Sequence, residues 1–294
     1  MGQEVLTQRM WEQFEKETVL QQKIEPDVRK YIPTKTVPYQ GRLTYNELKD
    51  HSRPYWYEVG VVPEIYQSRS SYDPKTVYFY GCIEGWEIPV DQIKMAKTTG
   101  IDIVQDTARV QTRKIQIEIE DALINGKSRG QYVKIGNEMA GMWSLAGQTS
   151  SYNTVKFQTD PGVYNTVKDM VMKLHKKGYK EPFVLISDTN CWDEFFSVRT
   201  YNDTNYASMI KEKLGVKEII LSDQMPAASN HDGTLLLFKP DPTCVQLLEM
   251  QPVKGTKDPY IPSSKVEKGI LEWVGGLVVK QPNSIVKHDD VDFA

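Results

Sequence analysis

The sequence predicts an α+β chain, and three stretches carry that reading. The first is the longest uninterrupted helical pattern in the chain, which runs up to Gly126. The second is a pair of strand-like runs, rich in Val, Ile and Tyr, within residues 54–89. The third is a compact alternation of helix and strand patterns over residues 155–243, followed by a β-rich tail over 244–294. No internal repeat or low-complexity run interrupts them.

Taken in order, residues 1–53 read as an N-terminal arm. From Val5 to Lys23 the spacing is helical: Leu6, Met10, Trp11 and Phe14 gather on one face, while Gln8, Glu12, Glu15 and Lys16 can face water. Such a helix either caps its own domain or docks on a neighbouring subunit. From Glu25 to Arg53 the pattern gives way to Pro26, Pro33, Pro38 and Gly41, which predicts an extended linker rather than a packed element.

Residues 54–89 read as an extended β-hairpin. Its runs are Tyr55–Tyr66 and Thr76–Ile83, separated by a polar tip, Gln67–Lys75, that holds Arg69, Ser70-Ser71 and Asp73-Pro74. A two-stranded ribbon is marginal alone in water, so this one has to lie on something. It folds against its own sheet or reaches onto another subunit.

Residues 90–154 contain the helix on which the chain is organised. Val104, Ala108, Ile115, Ile119 and Ala122 form one apolar stripe, and Ile103, Val110, Ile117 and Ile124 form a second. At about 100° per residue the two stripes cover roughly 200° of the surface, about twice the ordinary one-sided stripe. The helix is therefore expected to be packed on two sides, so that Ile117→Asp would abolish soluble protein. Asp106 and Arg109 sit three apart on the polar face and can pair. Asn125-Gly126 supplies a left-handed stop. A glycine-punctuated connection with Met139, Met142 and Trp143 follows.

In the α/β unit, PGVYNTVKDMVMKLHKKG is a helix with Pro161 at its start and Gly178 at its stop. PFVLISD is a buried strand, and TNCWDEFFSV a helix that Thr189 or Asn190 would open. NYASMIKEKLG is a further helix, followed by the strands VKEIILS and TLLLFKP. The tail reads as strands in VQLLEMQPV and KGILEWVGGLVVKQPNSIV.

Composition excludes several functions. Over 294 residues, 39% are apolar and 26% charged, and the net charge is −3, so nothing drives the chain as a whole onto nucleic acid or acidic membranes. No hydrophobic run is long enough to span a bilayer. The three cysteines, Cys82, Cys191 and Cys244, are far apart and outside any CxxC, and read as reduced core thiols. Sixteen tyrosines and six tryptophans, several in extended segments, point to large contact surfaces.

Catalytic motifs are not what this sequence offers. INGKS, ending at Ser128, fails as a phosphate-cradling loop because Asp121 stands in place of the first glycine and a helix, not a strand, precedes it. Asn230-His231-Asp232 reads as a polar turn, and His288 with Asp289, Asp290 and Asp292 as a solvated tail. Glu118 and Glu120 lie on one helix, do not share a face, and pair more simply with Lys114. No catalytic, cofactor-binding or metal-ligating residue is assigned. Basic residues form no aromatic-interleaved stripe.

The order of parts, from arm through aromatic hairpin, spine helix and α/β unit to a returning tail, resembles the Hong Kong 97-type shell fold of tailed-virus major capsid proteins and encapsulins. Within it the chain is most similar to an encapsulin-like group of phage capsid proteins. The matching stretches are Gly85-Trp86-Glu87-Ile88-Pro89, the helix end EDALINGK, the segment Gly136–Gly147, and LLLFKPDP followed by LEWVGGLVVKQPNSIV. The resemblance implies that 54–89 is the loop laid across an adjacent subunit and that 90–154 is the peripheral domain. It makes 155–243 the axial domain and 244–294 the return to the peripheral domain. Trp11, Phe14, Trp56, Tyr57, Tyr66, Arg69, Tyr72, Tyr78 and Tyr80 are then the expected intersubunit contacts. Some members join subunits through a Lys–Asn crosslink; nothing marks such a pair here. Others carry a long N-terminal scaffold, and with about 45 residues ahead of the hairpin none of that size is expected.

On this reading the chain is a structural protein, not an enzyme. Its partners are copies of itself in hexamers and pentamers, packaged double-stranded DNA held without sequence-specific contacts, and portal and decoration proteins. It would reside in the virion after assembly in the host cytoplasm. The alternatives are an encapsulin shell around a cargo protein and, in a different class, a soluble α/β enzyme built on residues 155–243.

Overall fold

The computed structural model describes residues 27–39, 42–50, 70–99, 103–127, 138–150, 162–197, 205–226, 233–257 and 266–291. A turn of 3-10 helix, Val28–Tyr31, leads into β1 (Thr34–Thr36). Next come β2 (Arg42–Asp50), β3 (Ser70–Tyr78) and β4 (Tyr80–Pro89), then a helix over Val90–Thr99 and the spine helix, Ile103–Ile124. β5 (Gly126–Lys127), β6 (Met139–Ala140), a short helix (Met142–Leu145) and β7 (Gln148–Ser150) follow. The α/β unit runs through the Gly162–Lys176 helix, β8 (Phe183–Ser187), helices Thr189–Phe196 and Tyr206–Leu214, β9 (Val216–Leu221) and β10 (Gly233–Phe238). The chain closes with β11 (Val245–Lys257), β12 (Val266–Val279) and β13 (Ile285–Val291).

Two sheets organise these elements. One has the order β1-β11-β12-β4, the other β7-β13-β10-β8-β9. In the second, β8 and β10 are apolar runs buried on both faces, as central strands must be. Alternation then divides their side chains. Phe183, Leu185, Leu235 and Leu237 face a core closed by the three helices of the α/β unit, while Val184, Ile186, Leu236 and Phe238 face the spine side. The Gly162–Lys176 helix presents Val163, Val167, Met170, Val171 and Leu174 at helical spacing and ends at Gly178, which has φ +87°. Asp188, rather than Thr189 or Asn190, caps the next helix. Its Oδ1 accepts from the Cys191 N–H at 2.9 Å, and its Oδ2 accepts from the Thr234 N–H at 3.0 Å. Both oxygens of one carboxylate are used, which the hydroxyl of Thr189 could not match.

The spine helix is packed on two sides only toward its C-terminal end. Ile115, Ile119, Ala122, Leu123 and Ile124 are buried against the β1–β11–β12 sheet, the Val28–Tyr31 turn and the spine-facing side of the second sheet. Ile103, Ala108, Val110 and Ile117 are half-buried. The expectation of burial at Ile117 is therefore corrected to its neighbour Ile119. The helix stops as expected: Asn125 N–H donates to Asp121 O at 2.8 Å, and Gly126 has φ +80°. Arg109 and Asp106 lie 3.8 Å apart, and Lys114 pairs with Glu84 at 3.7 Å rather than with Glu118 or Glu120.

Several other expectations need correction. Residues 27–37 are a packed element, not a linker: Val28 and Ile32 are buried, and β1 runs parallel to β11. Those two apolar residues, four apart between prolines, meet the core on one side of a helical turn. The first strand of the ribbon is Arg42–Asp50, assigned above to the arm, and its partner β3 includes residues 70–75 of the expected polar tip. The run Thr76–Ile83 is divided between two sheets, because β4 turns away to pair with β12. β7 and β13 join the α/β sheet, so the tail, expected to return to one unit, divides between the two sheets: β11 and β12 in one, β13 in the other. His288, read as part of a solvated tail, is 1% exposed on β13. Val5–Lys23, Tyr55–Tyr66 and Asn230–Asp232 lie outside the described residues.

Candidate functional site

The β2–β3 ribbon stands outside the two main sheets among the described residues. Its register runs from Arg42 opposite Tyr78 to Asp50 opposite Ser70, and it forms a sheet by itself among the described residues. Nine paired residues per strand give it a length of ~30 Å. Pro74 lies opposite Asn46 in this register, and β3 pairs with no strand other than β2 among the described residues, the setting in which a strand proline is tolerated. Only the root is anchored by apolar packing among the described side chains: Val77 is buried with Val37, Leu248 and Val278, and Leu43, Phe79 and Met250 pack around them.

Beside the root, β4 forms one edge of its sheet among the described residues. Tyr80, Cys82, Glu84 and Trp86 are half-buried and Ile88 buried on one face, while Gly81, Ile83, Gly85 and Glu87 are exposed on the other. Ile83 is 62% exposed, and Ile270, opposite Gly85 on β12, is 39% exposed. A 3.0 Å ion pair between Lys268 and Glu87 borders them. These apolar surface residues were not singled out from the sequence, although the alternation through β4 contained the signal.

Of the expected contact residues, Tyr78 stands exposed at the ribbon root. Tyr80 is turned inward, donates its hydroxyl to Glu138 O at 2.9 Å, and burial pushes its phenol above the ordinary value. Tyr72 lies on β3 opposite Leu48. Trp11, Phe14, Trp56, Tyr57, Tyr66 and Arg69 lie outside the described residues.

Polar groups inside the subunit act as ties rather than reagents. Lys127 bonds to Glu118 and Asp121; burial pulls its pKa down, but these partners outweigh it and hold the ammonium above its ordinary value. A lysine kept charged in this way is a poor nucleophile. Ser150 donates to Asp169 Oδ2 at 2.7 Å, but His288 Nδ1 meets the Ser150 carbonyl oxygen at 3.0 Å, not its hydroxyl. The trio therefore lacks the hydroxyl-to-imidazole link that activates a serine. The described residues contain no group of three or more metal-type ligands. Cys191 is buried, and desolvation pushes its thiol far up, with Asp188 adding to the effect. Two carboxylates are buried where segments meet: Glu249, not singled out from the sequence, and Glu120, expected on a polar face with Lys114 as its partner. Glu249 receives Arg29 and Trp273, and Glu120 receives Val28 and Ser222.

No family model and no curated sequence matches the chain. Solved structures do. The capsid of Myoviridae phage XM1 is similar at a TM-score of 0.72 and 11% identity, over 99% of this chain and 100% of that one. A chain from Mycobacterium phage Ogopogo is similar at 0.68 and 11% identity, over 92% and 94%. The holo-SrpI encapsulin complex from Synechococcus elongatus PCC 7942 is similar at 0.63 and 13% identity, over 95% and 92%. At such identities the likeness is one of fold, and it extends over nearly the whole chain. The chain has the Hong Kong 97-type shell fold, in its mixed helix-and-strand form.

Proposed function

We propose that this chain is the subunit of a self-assembling icosahedral shell, and specifically the major capsid protein around a viral double-stranded DNA genome. The observation that supports this best is the β2–β3 ribbon, which is rooted at Val77 and makes its own sheet. A ribbon of that length needs a surface under it, and a neighbouring copy supplies one. Contacts of this head-to-tail kind close into rings, as pentamers and hexamers require. Tyr78, exposed at the ribbon root, serves as an anchor there. The α/β unit meets its copies around the ring axes, the genome is held without sequence readout, and portal and decoration proteins complete the particle in the virion.

A second reading, an encapsulin shell around a cargo protein, is favoured by the likeness to the holo-encapsulin complex over 95% of the chain. Negative-stain electron microscopy of particles from the native source, with absorbance at about 260 and 280 nm on the same fraction, tests both. Closed shells rich in nucleic acid are the expected result. Closed shells containing only protein would transfer the assignment to the compartment reading, and discrete small particles at all salt concentrations would overturn both.

A further inference from the structure

Three segments far apart in sequence meet at one carboxylate. Glu120, near the C-terminal end of the spine helix, accepts the backbone N–H of Val28 through Oε2 at 3.2 Å and the Ser222 hydroxyl through Oε1. Val28 opens the arm's helical turn, and Ser222 directly follows β9. One side chain thus ties both the arm root and the α/β sheet to the spine. It is 2% exposed, and no cation reaches it among the described residues. Of the surrounding charges, Arg29 is engaged by Glu249 and Lys30 by Asp27, and Lys217 on β9 is exposed to water. Asp27 and Asp223 act on Glu120 as like charges. Two neutral donors do not compensate a carboxylate for burial in the way a paired cation does.

We propose that Glu120 is a proton-operated clasp: protonated, it holds the arm root and the α/β sheet on the spine, and ionised, it loosens both. The proton binds at Oε1, which then donates to Ser222 Oγ and reverses the present bond. Oε2 keeps the Val28 N–H. The Ser222 hydroxyl, whose oxygen also accepts the Gln224 N–H at 3.3 Å, turns its own hydrogen away from Glu120 and takes a water as its new acceptor, and the buried charge disappears. A cavity lined by Glu120, Gln116, Arg29, Val184 and Lys217 adjoins the junction and gives protons and water a route to it. Burial pushes the carboxyl above its ordinary value, with Asp223 and Asp27 adding to the rise, and the bonds from Ser222 and Val28 offset it in part. The switch belongs to the subunit itself and stands apart from what the shell encloses.

Hydrogen exchange of the full chain, read by mass spectrometry from about pH 8 to about pH 5 and corrected for intrinsic rates, tests the clasp. Peptides covering 27–37 and 216–226 should become severalfold more protected on acidification. Glu120→Gln imitates the protonated form, with its amide donating to Ser222, and should be protected throughout the range. Flat protection in the wild type, or an unchanged pH dependence in Glu120→Gln, would overturn the proposal. Should that variant not fold, Ser222→Ala removes a bond that is stronger to the carboxylate than to the protonated acid, and should move the midpoint to higher pH. An unmoved midpoint is equally fatal.

Discussion

Trp273 donates its indole Nε1–H to Glu249 Oε1 at 2.6 Å, and Arg29 of the arm settles on the same oxygen. Around this contact, the Leu247 N–H donates to Pro33 O at 2.9 Å and the Val37 N–H to Glu249 O at 2.9 Å. Side chain and backbone of Glu249 therefore both tie the arm root to the sheet. Glu249→Ala leaves a buried indole N–H without its acceptor, a cost of about 1–3 kcal/mol. Arg29 is partly exposed, so its share is small after solvent screening. Urea denaturation of the unassembled subunit should show a loss of about 2–3 kcal/mol. A loss below about 0.5 kcal/mol would show that water substitutes for the carboxylate.

Ile119 and Ile117 differ by two positions and face different surroundings. Ile119 is 1% exposed in the core shared by both sheets, whereas Ile117 is half-buried. Ile119→Asp should yield no soluble protein, because a carboxylate there has neither water nor a partner. Ile117→Asp should yield some. Comparing the soluble fractions of the two variants decides whether the spine is doubly packed only at its C-terminal end, and equal yields would contradict it.

The α/β unit was legible in the sequence because its strands are short buried runs bounded by Gly and Pro, which can be read without tertiary knowledge. The ribbon's first strand was not, since RLTYNELKD has no apolar run and belongs to a two-stranded element with little core of its own. Glu120 sits beside Glu118 and Asp121, and such a cluster reads as a solvated face. Only the folded chain brings in Val28 and Ser222, 92 and 102 residues away. His288 was misread for the same reason, because the acidic residues after it masked a strand that pairs with β10.

The ribbon root separates folding from assembly. Val77 is packed with Val37, Leu248 and Val278 at the margin of the sheet, apart from the two main cores. Val77→Asp should therefore release the ribbon while circular dichroism stays native, and closed particles should be lost. Arg69→Glu, outside the described residues, is expected to hinder assembly without unfolding the subunit. Normal, equally heat-resistant particles from both variants would remove the ribbon from the intersubunit contact.

Gly126 ends the spine in a conformation that other residues adopt at a cost. Its φ is +80°, and a Cβ placed there would lie 2.1 Å from Met139 O, across the β5–β6 pair. Gly126→Ala combines left-handed strain with that clash and should cost roughly 2 kcal/mol or more. Gly178, at φ +87° with nothing within 4 Å of its added Cβ, is the control. Its alanine variant should lose only the conformational term, about 1 kcal/mol. Thermal melts of the two side by side measure the steric part.

The Glu120 carboxyl sets the sign of a pH effect on stability. Burial raises its folded value above the unfolded one, with Asp223 and Asp27 contributing, so the folded chain binds this proton more tightly. Between the unfolded value and the raised folded one, the folded state retains a proton that the unfolded state has released. Stability contributed by this group is complete below the unfolded value, falls as pH rises through that window, and stays reduced above it. Glu120→Gln abolishes the fall. The difference in urea midpoint between variant and wild type should accordingly increase from acid to neutral pH, with the variant the more stable at about pH 8. A difference that shrinks with rising pH would mean the carboxylate is stabilised in the fold, and would place its folded value below the ordinary one.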